Sequence, residues 1–434
     1  MQTVITRKKH DLSTSDVRIL SLASFGAALE FYDFVIFVFF VTVIGKLFFA
    51  ASLSDWVRQV HAFGIFAAGY LARPIGGVVM AHFGDTRGRK RMFTLSVLLM
   101  AIPTLLIGLP PTYQSIGVAA PLLLLLMRVL QGVAIGGEAP GAWVFAGEHA
   151  PRGRAGFAIG LLTSGLSFGV LLGSLMATCL SRVFGQVQIA AGAWRIPFVM
   201  GGVFGFIAMW LRRWLKETPV FEEMRNRATL SRELPLGVVL KSHGRAVVTS
   251  ILSAWMLAAV IVVVIFMTPS LMAILFGITS SQAQAANLVA TAVMCISTVV
   301  VGASTDRFGV KRTAVPTQLV LIASVYGLYR GAEAMPAALV PLYALAGSGA
   351  GAVVLTPITM IHAFPTSIRF SGVSFSYNFS YALFGGLTPL FVSWLAHCDR
   401  SGPAHYVAAV TIIGLGATLT APKHAFNDVD STAP

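Results

Sequence analysis

The sequence predicts an all-α membrane protein: twelve transmembrane helices in two six-helix, pseudo-symmetric bundles. Three observations lead there. Only 11% of the 434 residues are charged while 56% are hydrophobic, whereas a soluble domain averages about 25% charged and needs that polar cover. Apolar stretches of the roughly 20 residues needed to cross the hydrocarbon recur along the chain. And two kinds of basic loop appear twice, at matching places in each half. The 42 glycines agree, because small residues let membrane helices approach closely.

The expected spans are 20–48, 61–82, 92–109, 121–147, 156–181, 196–214, 246–271, 283–303, 313–330, 338–362, 371–396 and 406–421. The basic cluster Arg7-Lys8-Lys9 precedes an apolar stretch far longer than a signal-peptide core, so the first span is read as a retained helix. The polar stretch between the sixth and seventh spans is the only one long enough to divide the chain. Expected units are therefore residues 1–215, a linker 216–244, and residues 245–434.

The formal charge of +14 is explained by topology rather than by nucleic acid. With both termini in the cytoplasm, 23 Lys and Arg residues fall on the cytoplasmic side and 6 outside, with Arg73 and Arg128 inside spans. That asymmetry predicts cytoplasmic termini in an inner-membrane protein.

The loop from Ala81 reads AHFGDTRGRKR and the loop from Gly302 reads GASTDRFGVKR, aligning Asp85 with Asp306 and Arg91 with Arg312. After the fourth and tenth spans stand EHAPRGRAG (Glu148 to Gly156) and HAFPTSIRFSG (His362 to Gly372). Two parallel copies of one unit place a substrate cavity between them near the midplane.

These stretches resemble a known family. Asp85-x-x-Gly88-Arg89-Lys90 and Asp306-Arg307-x-Gly309 are similar to the loop motif of the major facilitator superfamily. Leu29-Glu30-Phe31-Tyr32-Asp33-Phe34, the segment Gly69 to Gly76, Arg128-x-x-Gln131-Gly132 through Glu138, Trp194 to Phe198, Glu217-Thr218-Pro219, Phe364-Pro365-Thr366 and Tyr377-Asn378 resemble its metabolite:H+ symporter branch. The resemblance covers nearly the whole chain in order. It implies a carrier of citrate, tricarballylate, 2-oxoglutarate, shikimate, aromatic acids, proline or betaine. There are departures: Ala81 stands for a usual glycine, Thr86 for a usual basic residue, and His362 where the second half often has glutamate.

Five ionisable residues fall well inside spans, and such residues mark functional sites by default: Glu30, Asp33, Arg73, Arg128 and Glu138. Glu30 and Asp33 are i,i+3 and share a face. Arg128, Gln131, Ile135 and Glu138 form one stripe, which should face the bundle interior. Arginine is permanently charged and its planar fork suits carboxylates. The expected substrate ligands are therefore Arg73 and Arg128, with Tyr32, Gln131, Tyr377 and Asn378. The expected proton carriers are Asp33 first, then Glu30 and Glu138. Burial disfavours a charged carboxylate and a neighbouring arginine favours it, so a substrate that occupies the arginine promotes proton uptake. The aromatics around Tyr32 (Phe31, Phe34, Phe37, Phe39) are expected to be lipid-facing or packing residues. Asp85, Arg89, Glu148, Asp306 and Arg307 are the expected gate.

The expectation is proton-coupled symport of a small organic anion by alternating access, working as a monomer. The alternatives are a proton-driven efflux antiporter and uptake of a zwitterionic osmolyte or aromatic acid. The tails, roughly 18 and 13 residues, lack the long coiled coil of osmolyte-sensing members. An enzyme is not expected, since no His/Asp/Glu cluster gathers at one membrane face. No metal or cofactor is expected either: Cys179, Cys295 and Cys398 have no ligand spacing. The partners are the substrate, the proton and the lipid bilayer.

Overall fold

A computed structural model describes residues 14–87, 89–151, 153–212, 222, 226 and 235–424. The described elements are helical. The twelve spans are α1 (Thr14–Phe39), α2 (Asp55–Arg87), α3 (Arg89–Ile107), α4 (Ala119–His149), α5 (Ala155–Val183), α6 (Arg195–Arg212), α7 (Gly244–Phe276), α8 (Ser280–Phe308), α9 (Val310–Ala334), α10 (Leu339–Ala363), α11 (Thr366–Cys398) and α12 (Gly402–Thr420). Most are long and apolar enough to cross a bilayer on composition alone. α9 is more polar because Lys311 and Arg312 sit at one end and Arg330 and Glu333 at the other. Its 25 residues still reach about 37 Å at 1.5 Å per residue.

The helices run past the expected spans, since helix continues into the loops. α2 extends to Arg87, and α9 spans Val310–Ala334 rather than 313–330. The first span breaks at Phe40 (φ −110°, ψ 8°) and resumes as a short helix, Val41–Phe48. The linker is more than a tether. Of the described residues between α6 and α7, Pro235–Ser242 form a helix that packs on α2 and on the start of α11.

Three spans lose regular α geometry partway along: π turns at Val260–Met267 in α7 and Tyr381–Gly385 in α11, and a 3₁₀ turn at Gly351–Val354 in α10. Irregular turns at membrane depth are tolerated where they line a cavity or are covered by protein.

The halves meet along α5 against α8 and α2 against α11. One face of the molecule carries the loops with Asp85, Glu148, Asp306 and Arg369, and is called the basic face below. On that face α10 also packs across onto α4 and α5. No comparable packing joins α1 to α7 at the opposite end among the described residues. The two halves are thus closed against each other on the basic face.

Candidate functional site

The site begins on α2. Phe66, Tyr70, Arg73 and Gly77 follow one another at spacings of four, three and four, which puts them on one helix face. Gly77 carries no side chain, so α11 comes close. A Cβ there would lie 2.8 Å from Ser374 Oγ and would strike the Asn378 amide. Ser374 Oγ donates to Gly77 O (2.9 Å), and Asn378 Nδ2 donates to Gly136 O (2.6 Å) on α4. These bonds fix Asn378 beside Arg73.

Arg73 is fully buried in this seam. Its Nε donates to Asn378 Oδ1 at 3.3 Å, from one half to the other. Its guanidinium lies over Tyr381 (4.6 Å), Tyr377 (5.1 Å) and Tyr70 (5.4 Å). Tyr70 and Tyr381 stack across the halves, 6.3 Å apart and 9° from parallel. Cation–π contact stabilises a desolvated guanidinium by about 2 kcal/mol, which helps hold an arginine that makes no ion pair among the described residues. Nη2 has no hydrogen-bond partner.

Arg128 on α4 is buried one layer away, inside the first half. Its Nη1 donates to Gln131 Oε1 (2.7 Å), and Gln131 Nε2 donates to Thr104 Oγ1 (2.7 Å) on α3. Its guanidinium packs over Phe37 (4.4 Å), Phe34 (4.8 Å) and Phe66 (5.0 Å), while Nε and Nη2 have no hydrogen-bond partner among the described residues. Phe34 and Phe37 are therefore buried walls of the arginine sites, not lipid-facing residues.

Asp33 faces the interior of the first half. A Cβ at Gly201 on α6 would lie 2.6 Å from Asp33 Oδ1, and one at Gly205 would lie 3.3 Å from Oδ2. Two glycines on α6 thus make the space that the carboxyl fills. Among the described residues neither oxygen of Asp33 has a hydrogen-bond partner, and the same holds for Glu138, which lies within electrostatic reach of Asp33. Glu30 is buried in the same helix.

Tyr32 is where sequence reasoning misleads. Its OH donates to Pro197 O (3.0 Å), and its ring packs edge-on to Phe204, so it points at α6 and away from the seam. Tyr377 and Asn378 both reach the seam.

The expected gate residues divide. Asp85 Oδ2 accepts from Ser371 N (2.9 Å) and Ser371 Oγ (2.8 Å) near the start of α11. Asp306 does the same for the other half: its Oδ1 and Oδ2 accept from Gly156 N (2.7 Å) and Phe157 N (2.8 Å) at the start of α5. Each repeat thus lends a carboxylate to the open N–H groups and positive dipole end of a helix in its partner repeat. Glu148 pairs with Arg369 at 3.1 Å, both side chains being fully buried. Arg369 also donates from Nε to Ile361 O (3.1 Å). Arg307 is exposed and stacks on Phe308 (5.2 Å), outside this lock. The Arg89 side chain lies outside the described residues.

Sequence reading passed over Arg369, counting it only as a topogenic charge. The available signal was its place in the second copy of the loop after the tenth span, roughly opposite Arg154 in the first. It also missed Ser374, whose only signal is its i,i+4 spacing from Asn378.

The Major Facilitator Superfamily profile matches residues 23–389. The chain belongs to the Major Facilitator Superfamily. Its similar relatives include a putative proline/betaine transporter of Staphylococcus haemolyticus, 30% identical over 398 residues, covering 90% of this chain and 84% of that protein. A proline/betaine transporter of Salmonella typhimurium is 29% identical, with 92% and 82% coverage. Among solved structures, the proton:xylose symporter XylE bound to 6-bromo-6-deoxy-D-glucose matches with TM-score 0.79 at 17% identity, covering 96% of this chain and 98% of that one. The inward-open xylose transporter XylE of E. coli matches with TM-score 0.64 at 16% identity, covering 96% and 100%. At that identity the structures speak for the fold. The superfamily's members are multi-pass membrane transporters rather than enzymes, and the lock, seam and repeat described above belong to that architecture.

Proposed function

We propose that this transporter carries a small carboxylate-bearing solute inward together with a proton, by alternating access. The supporting observation is Arg73: a buried guanidinium at the seam, touched by both halves, with an N–H left open and no carboxylate among the described residues to neutralise it. Desolvated charges are costly unless paired, and a substrate carboxylate supplies the missing partner. Such a guest also bridges α2 and α11, so its binding bears on how the halves pack.

The proton rides on Asp33, with Glu138 and Glu30 behind it. Asp33 has no hydrogen-bond donor among the described residues, and a buried carboxyl group so placed is held most cheaply as the neutral acid. Asp33 lies off the substrate path, inside the first half, so coupling runs through α1 and α4 rather than through direct contact. The moving bodies are residues 1–215 and 245–434, joined by 216–244. The gradient alone drives the cycle, without a cofactor, in a monomer. The setting is the bacterial inner membrane with cytoplasmic termini, since the basic face is the one rich in Lys and Arg and the relatives are bacterial.

Within carboxylate-bearing solutes two classes compete. The two uncompensated arginines favour a di- or tricarboxylate. The names of the relatives favour a zwitterion such as proline or betaine, whose cationic end would meet the π faces of Tyr70 and Tyr381. The test is uptake of radiolabelled citrate, 2-oxoglutarate, shikimate, proline and glycine betaine into proteoliposomes. One carboxylate is expected to accumulate only with an inward proton gradient. Gradient-independent flux of that solute overturns the coupling, and uptake of none overturns the substrate class.

A further inference from the structure

Away from the seam, on the outer wall of the second half, α7 and α12 diverge at the basic face. They leave a groove of about 590 Å³. Its floor is apolar: Val248 and Leu252 on α7, Ile413 and Ala417 on α12. Gly416 opens it further, since a Cβ there would meet nothing within 4 Å. At the basic-face end stands Arg245, exposed, with Nη2 donating to Thr420 O at 2.9 Å. Val248 and Ile413 are also exposed, on helices that cross the membrane, so the groove opens to the hydrocarbon.

Among the described residues that line and flank it, the charged ones are cationic. Lys241 and Lys423 are exposed beside Arg245, and His243 and His424 are partly buried nearby. Residues 235–252 and 405–424, which build the groove and its rim, contain no Asp or Glu. An apolar trough a few helix turns long, ending at a cluster of cations at headgroup depth, is complementary to one kind of occupant. Acyl chains fit the trough and an anionic headgroup fits the rim.

We infer that this groove binds one anionic phospholipid from the basic-face leaflet, its phosphate on Arg245 and one chain along Val248, Leu252 and Ile413. The lipid then ties α7 to α12 at their ends. Arg245 already bridges those helices through the Thr420 carbonyl, and a phosphate would share its remaining donors.

The experiment uses the full-length protein in neutral detergent. Thermal midpoints are measured against short-chain phosphatidylglycerol, short-chain phosphatidylcholine and inorganic phosphate. Phosphatidylglycerol is expected to raise the midpoint saturably, and the other two are not. Two variants separate rim from trough. Arg245→Ala should weaken the apparent affinity about fivefold, the effect of one charge near a membrane surface. Gly416→Leu fills open space and should abolish the shift without harming the fold; its midpoint in the absence of lipid reports folding directly. An equal shift from phosphatidylcholine makes the groove a non-selective lipid seat. A shift from phosphate alone makes it a free-anion site. A phosphatidylglycerol shift that survives Gly416→Leu puts the lipid elsewhere. Each of these overturns the assignment.

Discussion

Arg73 Nε and Asn378 Oδ1 lie 3.3 Å apart, and they belong to opposite halves of the molecule. This places the candidate substrate ligand in the one plane that must open and close during transport. Asn378 is itself held by Gly136 O and by the close approach at Gly77, so Arg73 is presented by a rigid support. Arg73→Ala should lower substrate affinity at least 30-fold, since truncating one partner of a buried charged contact costs about 2 kcal/mol or more. Arg73→Lys should recover only part of that, because a point charge lacks the planar fork. Equilibrium binding of the radiolabelled substrate to purified protein reads both.

Glu148 and Arg369 give the second prediction. Both are completely buried, so removing one takes a charged contact from the other in a desolvated place. Glu148→Gln or Arg369→Gln should cost the closed state about 3–5 kcal/mol, and the double substitution less. The readout is maleimide labelling of Phe370→Cys, with the three native cysteines replaced by serine. Phe370 is buried against Gly84 and Gly141 of the other half. Labelling should rise sharply in each single variant and fall back in the double.

Asp33 gives the third. Asp33→Asn keeps the shape of the side chain but cannot exchange a proton. Gradient-driven accumulation should be lost while substrate exchange across the membrane persists. Gly201→Ala should act on the same carboxyl from outside, since its new methyl would sit 2.6 Å from Oδ1 and force a move. Its mark is a displaced pH profile of uptake with substrate affinity retained.

The tail at His424 gives the fourth. Its backbone N–H donates to His362 O at 2.7 Å, docking the segment that follows α12 against the end of α10. Burial, then the neighbouring His243 and Arg369, holds the His424 imidazole below its ordinary value. The docked tail therefore binds fewer protons than the released one. Docking is complete above a pH of about 6.5 and weakens as the pH falls below it. Hydrogen exchange at residues 421–424 should speed up at pH 5.5 beyond the intrinsic rate change, and His424→Phe should remove that excess.

The fold was legible because membrane spans are written in long apolar runs, and the repeat was legible because Asp85 and Asp306 keep their loops. The stripe of Arg128 and Gln131 is buried inside the bundle, the placement expected of polar residues on an apolar helix. The direction of Tyr32 was not legible. α1 is buried on nearly every side here, so no contrast between polar and apolar faces tells which way a tyrosine points. Arg369 was hidden for the opposite reason. At a span's basic end it looks like every other topogenic charge, and only the fold brings Glu148 to it across more than 200 residues.

The central claim is that a buried guanidinium receives a substrate carboxylate, and one comparison addresses it directly. Binding of the transported solute and of its neutral carboxamide analogue is measured with the wild-type protein and with Arg73→Ala. The account predicts that the wild type binds the acid far more tightly than the amide, and that the variant no longer distinguishes them. Equal binding of acid and amide by the wild type, or undiminished preference for the acid in Arg73→Ala, would contradict it.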